Sequence, residues 1–111
     1  SIALLDIALR RRFEFEAMYP KDYIEGHDIH DLAILQSINQ RIVKSKGHDF
    51  QIGHSFFMGK DYKLVDRMNK KVIPLLMEYF MNDEKEVKSI LKEAKLVIDE
   101  KSWPLKITGK Q

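Results

Sequence analysis

The stretch Asp61 to Met81, DYKLVDRMNKKVIPLLMEYFM, decides the fold of this 111-residue chain. Val65, Met68, Val72, Leu75, Leu76, Tyr79 and Phe80 recur at three- and four-residue steps, the spacing that gathers side chains on one face of an α-helix. Pro74 interrupts this pattern. It has no amide hydrogen and its ring crowds the carbonyl of Lys70, so the helix is expected to bend or restart near Ile73.

Upstream, from Asp28, the residues Leu32, Leu35, Ile38 and Ile42 share one side, backed by Ile34 and Val43, until Gly47 supplies a left-handed stop. Downstream, Asp83 followed by Glu86 reads as a capping-box variant that opens a last helix. Its buried stripe is Val87, Ile90, Leu91, Ala94 and Val97 or Ile98. Three amphipathic helices can share one core, from about Asp28 to Asp99. Between the first two, His48 to Gly59 has no helical period and reads as a loop, with an extended piece at Phe50-Gln51-Ile52. The tail from Glu100 to Gln111 shows no usable period and is expected to pack across the helices through Trp103 or to fray.

The opening residues change period twice. Ile2, Leu5, Ala8 and Leu9 have helical spacing, whereas Phe13 and Phe15 alternate with Glu14 and Glu16 as a short strand does. Tyr19-Pro20 then marks a linker. Ser1 leads directly into Ile2-Ala3-Leu4-Leu5 without a polar preamble, as expected of a cut inside a longer chain. The expected division is residues 1–20 as a helix and short strand, 21–99 as a helical unit, and 100–111 as a tail. Residues 2–17 lack the sheet they should pair with and are expected to detach, swap between copies or order only in a lattice contact.

Composition excludes several functions. The chain is 44% hydrophobic and 32% charged, with 19 basic and 17 acidic side chains and a formal charge of +2. That balance gives no global field for nucleic acid or an anionic membrane. With no cysteine, disulfides, thiolate metal sites and cysteine nucleophiles are ruled out. Neither an apolar run approaching about 18 residues nor a signal-peptide pattern occurs, so the reading is cytoplasmic, with no membrane partner. A phosphate-cradling G-x-x-x-x-G-K-[ST] loop is missing. Gly59-Lys60 lacks the preceding glycine and is followed by Asp61.

Four clusters carry candidate chemistry. Arg10, Arg11 and Arg12 end the first helix, where cations cap the carbonyl-rich terminus, yet rotation of about 100° per residue aims at least one along a subunit or domain boundary. His27, Asp28, His30 and Asp31 resemble metal ligands but offer no clear third ligand for zinc and lie where acids are expected at a helix start, so no metal site is assigned. Lys60, Lys63, Arg67, Lys70 and Lys71 form a basic stripe, read as a solvated face with a nucleic-acid patch as the alternative. Met68, Met77 and Phe80 read as core.

Three segments carry a family resemblance. ALLDIALRRRFEF, residues 3–15, resembles the region after the sensor-1 strand of AAA+ nucleoside triphosphatases, most closely the McrB-like GTPases of methyl-directed (type IV, 5-methylcytosine-specific) restriction systems. INQRIVKSKGHDFQIGHSFFM, residues 38–58, is similar to the lid segment of that family, with its Gly53-His54-Ser55-Phe56-Phe57 motif. VIPLLMEYF, residues 72–80, is similar to the family's lid helix. The family usually has tyrosine where Phe56 stands, a departure that removes the hydroxyl at that position.

The resemblance implies a mainly α fold: a helical AAA+ lid of three to four helices, preceded by a helix and short strand from an α/β core. It implies that Arg11 and Arg12, and after them Arg10, are arginine fingers acting on a neighbouring subunit's nucleotide, where planar guanidinium groups neutralise charge during phosphoryl transfer. Gly53, His54 and Ser55 would lie near the nucleotide in the sensor-2 region. The parent would use GTP and magnesium, with ATP as alternative, whereas the fragment alone would hold neither and hydrolyse nothing. Implied partners are further copies in a ring, as a hexamer, an McrC-like nuclease subunit, and DNA through a domain outside this chain. Alternatives are the lid of another AAA+ ATPase (MoxR-like), or a free-standing helical nucleic-acid-binding or interaction module.

Overall fold

The computed structural model describes Leu9 and residues 29–111. Leu9 apart, the expectations for residues 1–20, the arginine run included, and those for His27 and Asp28 lie outside the described residues.

Helix α1 spans Leu32–Lys46 and buries Ile34, Leu35, Ile38 and Ile42. Ile34 takes the core position expected of Leu32, which is 42% exposed, because at about 100° per residue Ile34 lies about 40° from Ile38 around the helix and Leu32 about 120°. Gly47, at φ 100°, ends the helix as expected, its amide donating to the carbonyls of Ile42 and Val43. That φ favours glycine.

The loop after α1 holds two short 3₁₀ turns, His48–Phe50 and His54–Phe57. Buried Ile52 lies between them. Its amide donates to Asn39 Oδ1 over 2.7 Å and its carbonyl accepts from Asn39 Nδ2 over 3.0 Å. The expected extended piece is thus realised only past Phe50, where a side-chain amide stands in for a neighbouring strand.

The deciding stretch forms a helical rod in three segments: α2 (Leu64–Arg67), a π-helical turn (Met68–Val72) and α3 (Ile73–Tyr79). The restart at Ile73 falls where Pro74 placed it. Proline supplies no hydrogen to the carbonyl of Lys70, and the wider π turn carries the chain past that gap. The rod ends as Met81 and Asn82 turn left-handed, with φ 53° and 62°. Asp83 then caps α4 (Glu84–Glu93), accepting a hydrogen bond from the Glu86 amide over 3.2 Å.

The last helix is shorter than its apolar text suggested. It stops at Glu93, Lys95 takes a φ of 66°, and Leu96–Ile98 form strand β1. β1 pairs antiparallel with β2 (Ile107–Lys110), in the register Leu96 with Lys110, Val97 with Gly109 and Ile98 with Ile107. The tail therefore closes a hairpin. Leu105 and Ile107 anchor it in the core, while Trp103, the expected anchor, is 86% exposed. Ala94, Val97 and Ile98 also fit a helical stripe, but Leu96 and Ile98 fit the alternation of a strand, and Ile107 supplies the partner that makes the strand the better solution.

One hydrophobic core joins these elements, with Tyr79, Phe57, Ile38, Ile42, Met68 and Leu76 among its largest fully buried side chains. Tyr79 meets Phe50 edge to face, with centroids 5.3 Å apart. Each fully buried Leu, Ile or Phe contributes roughly 1.5–3 kcal/mol. The molecule is mainly helical with a small two-stranded sheet, in keeping with a helical lid.

Candidate functional site

The motif Gly53-His54-Ser55-Phe56-Phe57 is one short structural unit. Gly53 is extended (φ −75°, ψ 159°) and precedes the 3₁₀ turn His54–Phe57. Phe57 is fully buried in the core and Met58 beside it is buried, so the turn is pinned at its C-terminal end. Gly53, His54 and Ser55 are half-buried. The turn thus brings together the three residues expected to lie near nucleotide.

The carbonyls around this turn are satisfied from outside the loop. Arg67 Nη1 donates to the carbonyls of Ser55, Phe56 and Met58 over 3.2, 2.8 and 3.3 Å. The carbonyl of Phe57 accepts from the His30 amide over 2.8 Å. Arg67 also lies 5.3 Å from the ring centroid of Tyr62, within cation–π range. The Tyr62 ring stacks on His30, centroids 4.8 Å apart and planes 8° from parallel.

Tyr62 Oη donates to Asp31 Oδ2 over 2.7 Å, and Lys110 Nζ donates to Asp31 Oδ1 over 2.8 Å. Burial pushes the Asp31 carboxyl up, but the hydrogen bonds from Lys110 and Tyr62 outweigh it and hold this group below its ordinary value. Burial, with the Asp31 carboxylate second, pushes the Tyr62 phenol far up. Asp31 therefore serves as an acceptor joining the start of α1 to Tyr62 and β2.

These residues revise one sequence reading. Arg67 does not belong to a uniform solvated stripe. Lys60, Lys63, Lys70 and Lys71 are exposed, whereas Arg67 is half-buried and spends its donors on loop carbonyls. The signal was present: it is the single arginine among lysines, and arginine's planar fork suits several fixed acceptors. Tyr62 and Asp31 carried no comparable signal, because their partners lie 31 and 79 positions away. Among the described residues no group of three His, Asp or Glu side chains is placed to hold a metal ion. No helix among them is long and apolar enough to cross a membrane. A shallow groove of about 260 Å³, lined by Asp31, Ile34, Ser37, Glu93, Lys95 and Lys110 among others, includes no residue of the turn.

Residues 32–88, just over half of the chain, match the family described as McrB, alpha-helical lid domain. No curated protein and no solved structure matches the chain. The matched segment runs from the first residue of α1 into α4 and contains the pinned turn, Arg67 and the proline-broken rod, while the closing hairpin lies beyond it. With this match over a core built from those same helices, the chain belongs to the McrB alpha-helical lid family and is the lid of a McrB-like AAA+ protein.

Proposed function

We propose that this chain is the nucleotide-covering lid, with the arginine fingers, of a McrB-like GTPase motor that acts in restriction of modified DNA. What carries the reading is the family match over residues 32–88, which includes the Gly53–Phe57 turn. The turn is held at each carbonyl from Ser55 to Met58 by Arg67 or His30, and a rigid turn suits a nucleotide-sensing role. Gly53, His54 and Ser55 would meet a GTP held with magnesium by the preceding core, with ATP as the alternative nucleotide.

In this reading Arg11 and Arg12, with Arg10 behind them, reach the triphosphate of a neighbouring copy in a ring, as a hexamer. Hydrolysis then requires assembly, because the transferred phosphoryl group is neutralised in trans. An McrC-like nuclease subunit and DNA bound through a separate domain complete the machine. The lid by itself turns over no nucleotide.

The test uses the nucleotide-hydrolysing protein that carries this lid. Arg11→Ala with Arg12→Ala is expected to lower turnover by about 10³-fold or more while GTP binding persists. Unchanged turnover rejects the finger role. A preference for ATP over GTP rejects the GTP clause alone.

A further inference from the structure

A loop of the length between Gly47 and Lys63 ordinarily turns its carbonyls to water. Here consecutive carbonyls from Ser55 to Met58 are bound by two residues from outside the turn, and three of the four go to a single nitrogen of Arg67. Such a cluster of charge-assisted bonds fixes where the turn points.

We propose that Arg67 is a positioning residue for the Gly53–Phe57 turn, setting the direction in which His54 and Ser55 are presented and locking the turn to the incoming segment at His30 and Asp31. The inference rests on the reading that this turn faces nucleotide. Arg67 touches no substrate in this assignment and acts through the backbone it holds.

Tyr62 makes the lock two-sided. The same ring stacks on His30, lies within cation–π range of Arg67 and donates its hydroxyl hydrogen to Asp31. His30 in turn donates its amide hydrogen to the Phe57 carbonyl. Movement of the chain where it joins the lid therefore reaches the turn through two contacts, one through backbone and one through Tyr62 and Arg67. A lysine at position 67 keeps the charge but loses the planar group that can lie over an aromatic ring while donating in several directions.

Amide hydrogen exchange and NMR shifts of the 111-residue chain test this, with Arg67→Gln and Arg67→Lys. Arg67→Gln is expected to speed exchange at residues 54–58 about tenfold or more, and to move the shifts of His30 and Asp31 with them. Amides of α4, β1 and β2 should keep their protection, and Arg67→Lys should fall in between. Wild-type exchange at 54–58 in Arg67→Gln, or an equal loss across the whole chain, overturns the proposal. Should the glutamine variant not fold, Arg67→Lys decides: faster exchange at 54–58 than at 84–110 supports the role, and wild-type behaviour overturns it.

Magnesium–GTP turnover in the nucleotide-hydrolysing protein separates this inference from the reading beneath it. If both hold, Ser55→Ala and Arg67→Gln each raise KM for GTP several-fold. If Ser55→Ala and His54→Ala leave KM and kcat unchanged, the turn does not face nucleotide, and the reading fails and takes this inference with it. If Ser55→Ala raises KM while Arg67→Gln changes neither KM nor loop exchange, the reading stands and the positioning role falls.

Discussion

Asn69 closes both backbone hydrogen bonds of Ile107: the Ile107 amide donates to Asn69 Oδ1 over 2.8 Å, and Asn69 Nδ2 donates to the Ile107 carbonyl over 3.0 Å. A carboxamide presents an N–H donor beside a C=O acceptor at the spacing of a peptide unit, so it can occupy the place of a third strand. It joins the π-helical turn to β2 and occupies an edge position that would otherwise invite another chain. Asn39 treats Ile52 in the same way. Two asparagines on two helices thus secure an irregular loop at Ile52 and the open edge of β2 at Ile107.

Asn69→Ala is expected to cost about 1–3 kcal/mol, since two backbone groups at a part-buried position lose their partners. Asn69→Asp should not restore this, because a carboxylate sets an acceptor against the Ile107 carbonyl. Urea denaturation measures the loss, and amide exchange should localise it to residues 107–110. Unchanged stability in Asn69→Ala would mean that the carboxamide contributes nothing.

The hairpin is anchored by Leu105 rather than by the larger Trp103. Leu105 is 5% exposed and Trp103 is 86% exposed. Leu105→Ala is expected to cost about 2–4 kcal/mol, and Trp103→Ala about 0.5 kcal/mol or less. Thermal melts of the two variants check the order, and a reversed order would place the indole in the core.

Arg41 links α1 to α4 by bonding Glu86 over 2.9 Å, Glu93, and Ser89 over 3.3 Å. The hydrogen bond that Arg41 donates to Glu93, ahead of the opposing effect of burial, and then the one to Glu86 hold its guanidinium above its already high ordinary value. Glu93 is 55% exposed, so solvent screening keeps the effect small. Arg41→Met should cost about 1 kcal/mol or less, and the difference from wild type should narrow in about 1 M salt. A difference that persists undiminished at high salt would show a packing effect in place of an ionic one.

The cluster at Asp31 makes a pH prediction whose sign follows from its lowered folded-state value. A carboxyl with a depressed value binds its proton less readily when folded than when unfolded. Its stabilising contribution is therefore present above the ordinary aspartate value, about 3.9, and is lost as pH falls below it. Tyr62 acts at the other end. Its raised value means that stability declines as pH climbs past the ordinary tyrosine value, about 10. Asp31→Asn should flatten part of the acid limb of a stability–pH curve, and Tyr62→Phe part of the alkaline limb. Limbs unchanged in both variants would remove the cluster from the pH response.

Much of the helical frame was legible because its signals are local. The spacing of Val72, Leu75, Leu76 and Tyr79, the missing amide of Pro74, the left-handed stop at Gly47 and the cap at Asp83 all act within one or two turns of chain. The hairpin was not legible in the same way. Leu96-Val97-Ile98 satisfies helix and strand spacing alike, and Ile107 decides between them from nine residues beyond Ile98. The candidate site was half visible, with the motif at Gly53-His54-Ser55 and the lone arginine at position 67 readable and the support from Tyr62 and Asp31 hidden.

By itself, then, the amino-acid sequence determined a helical lid with a break at Pro74, caps at its helix ends and a family motif in the loop after α1. The tertiary structure alone decided that the tail closes a hairpin, that Arg67 serves the loop instead of solvent, and that Asp31 joins Tyr62 to Lys110. The physical reason is range. Helix periodicity and capping depend on neighbours three or four residues apart, whereas a partly buried carbonyl or carboxylate takes whichever donor the fold brings to it, and in Asp31 that donor is 79 residues away.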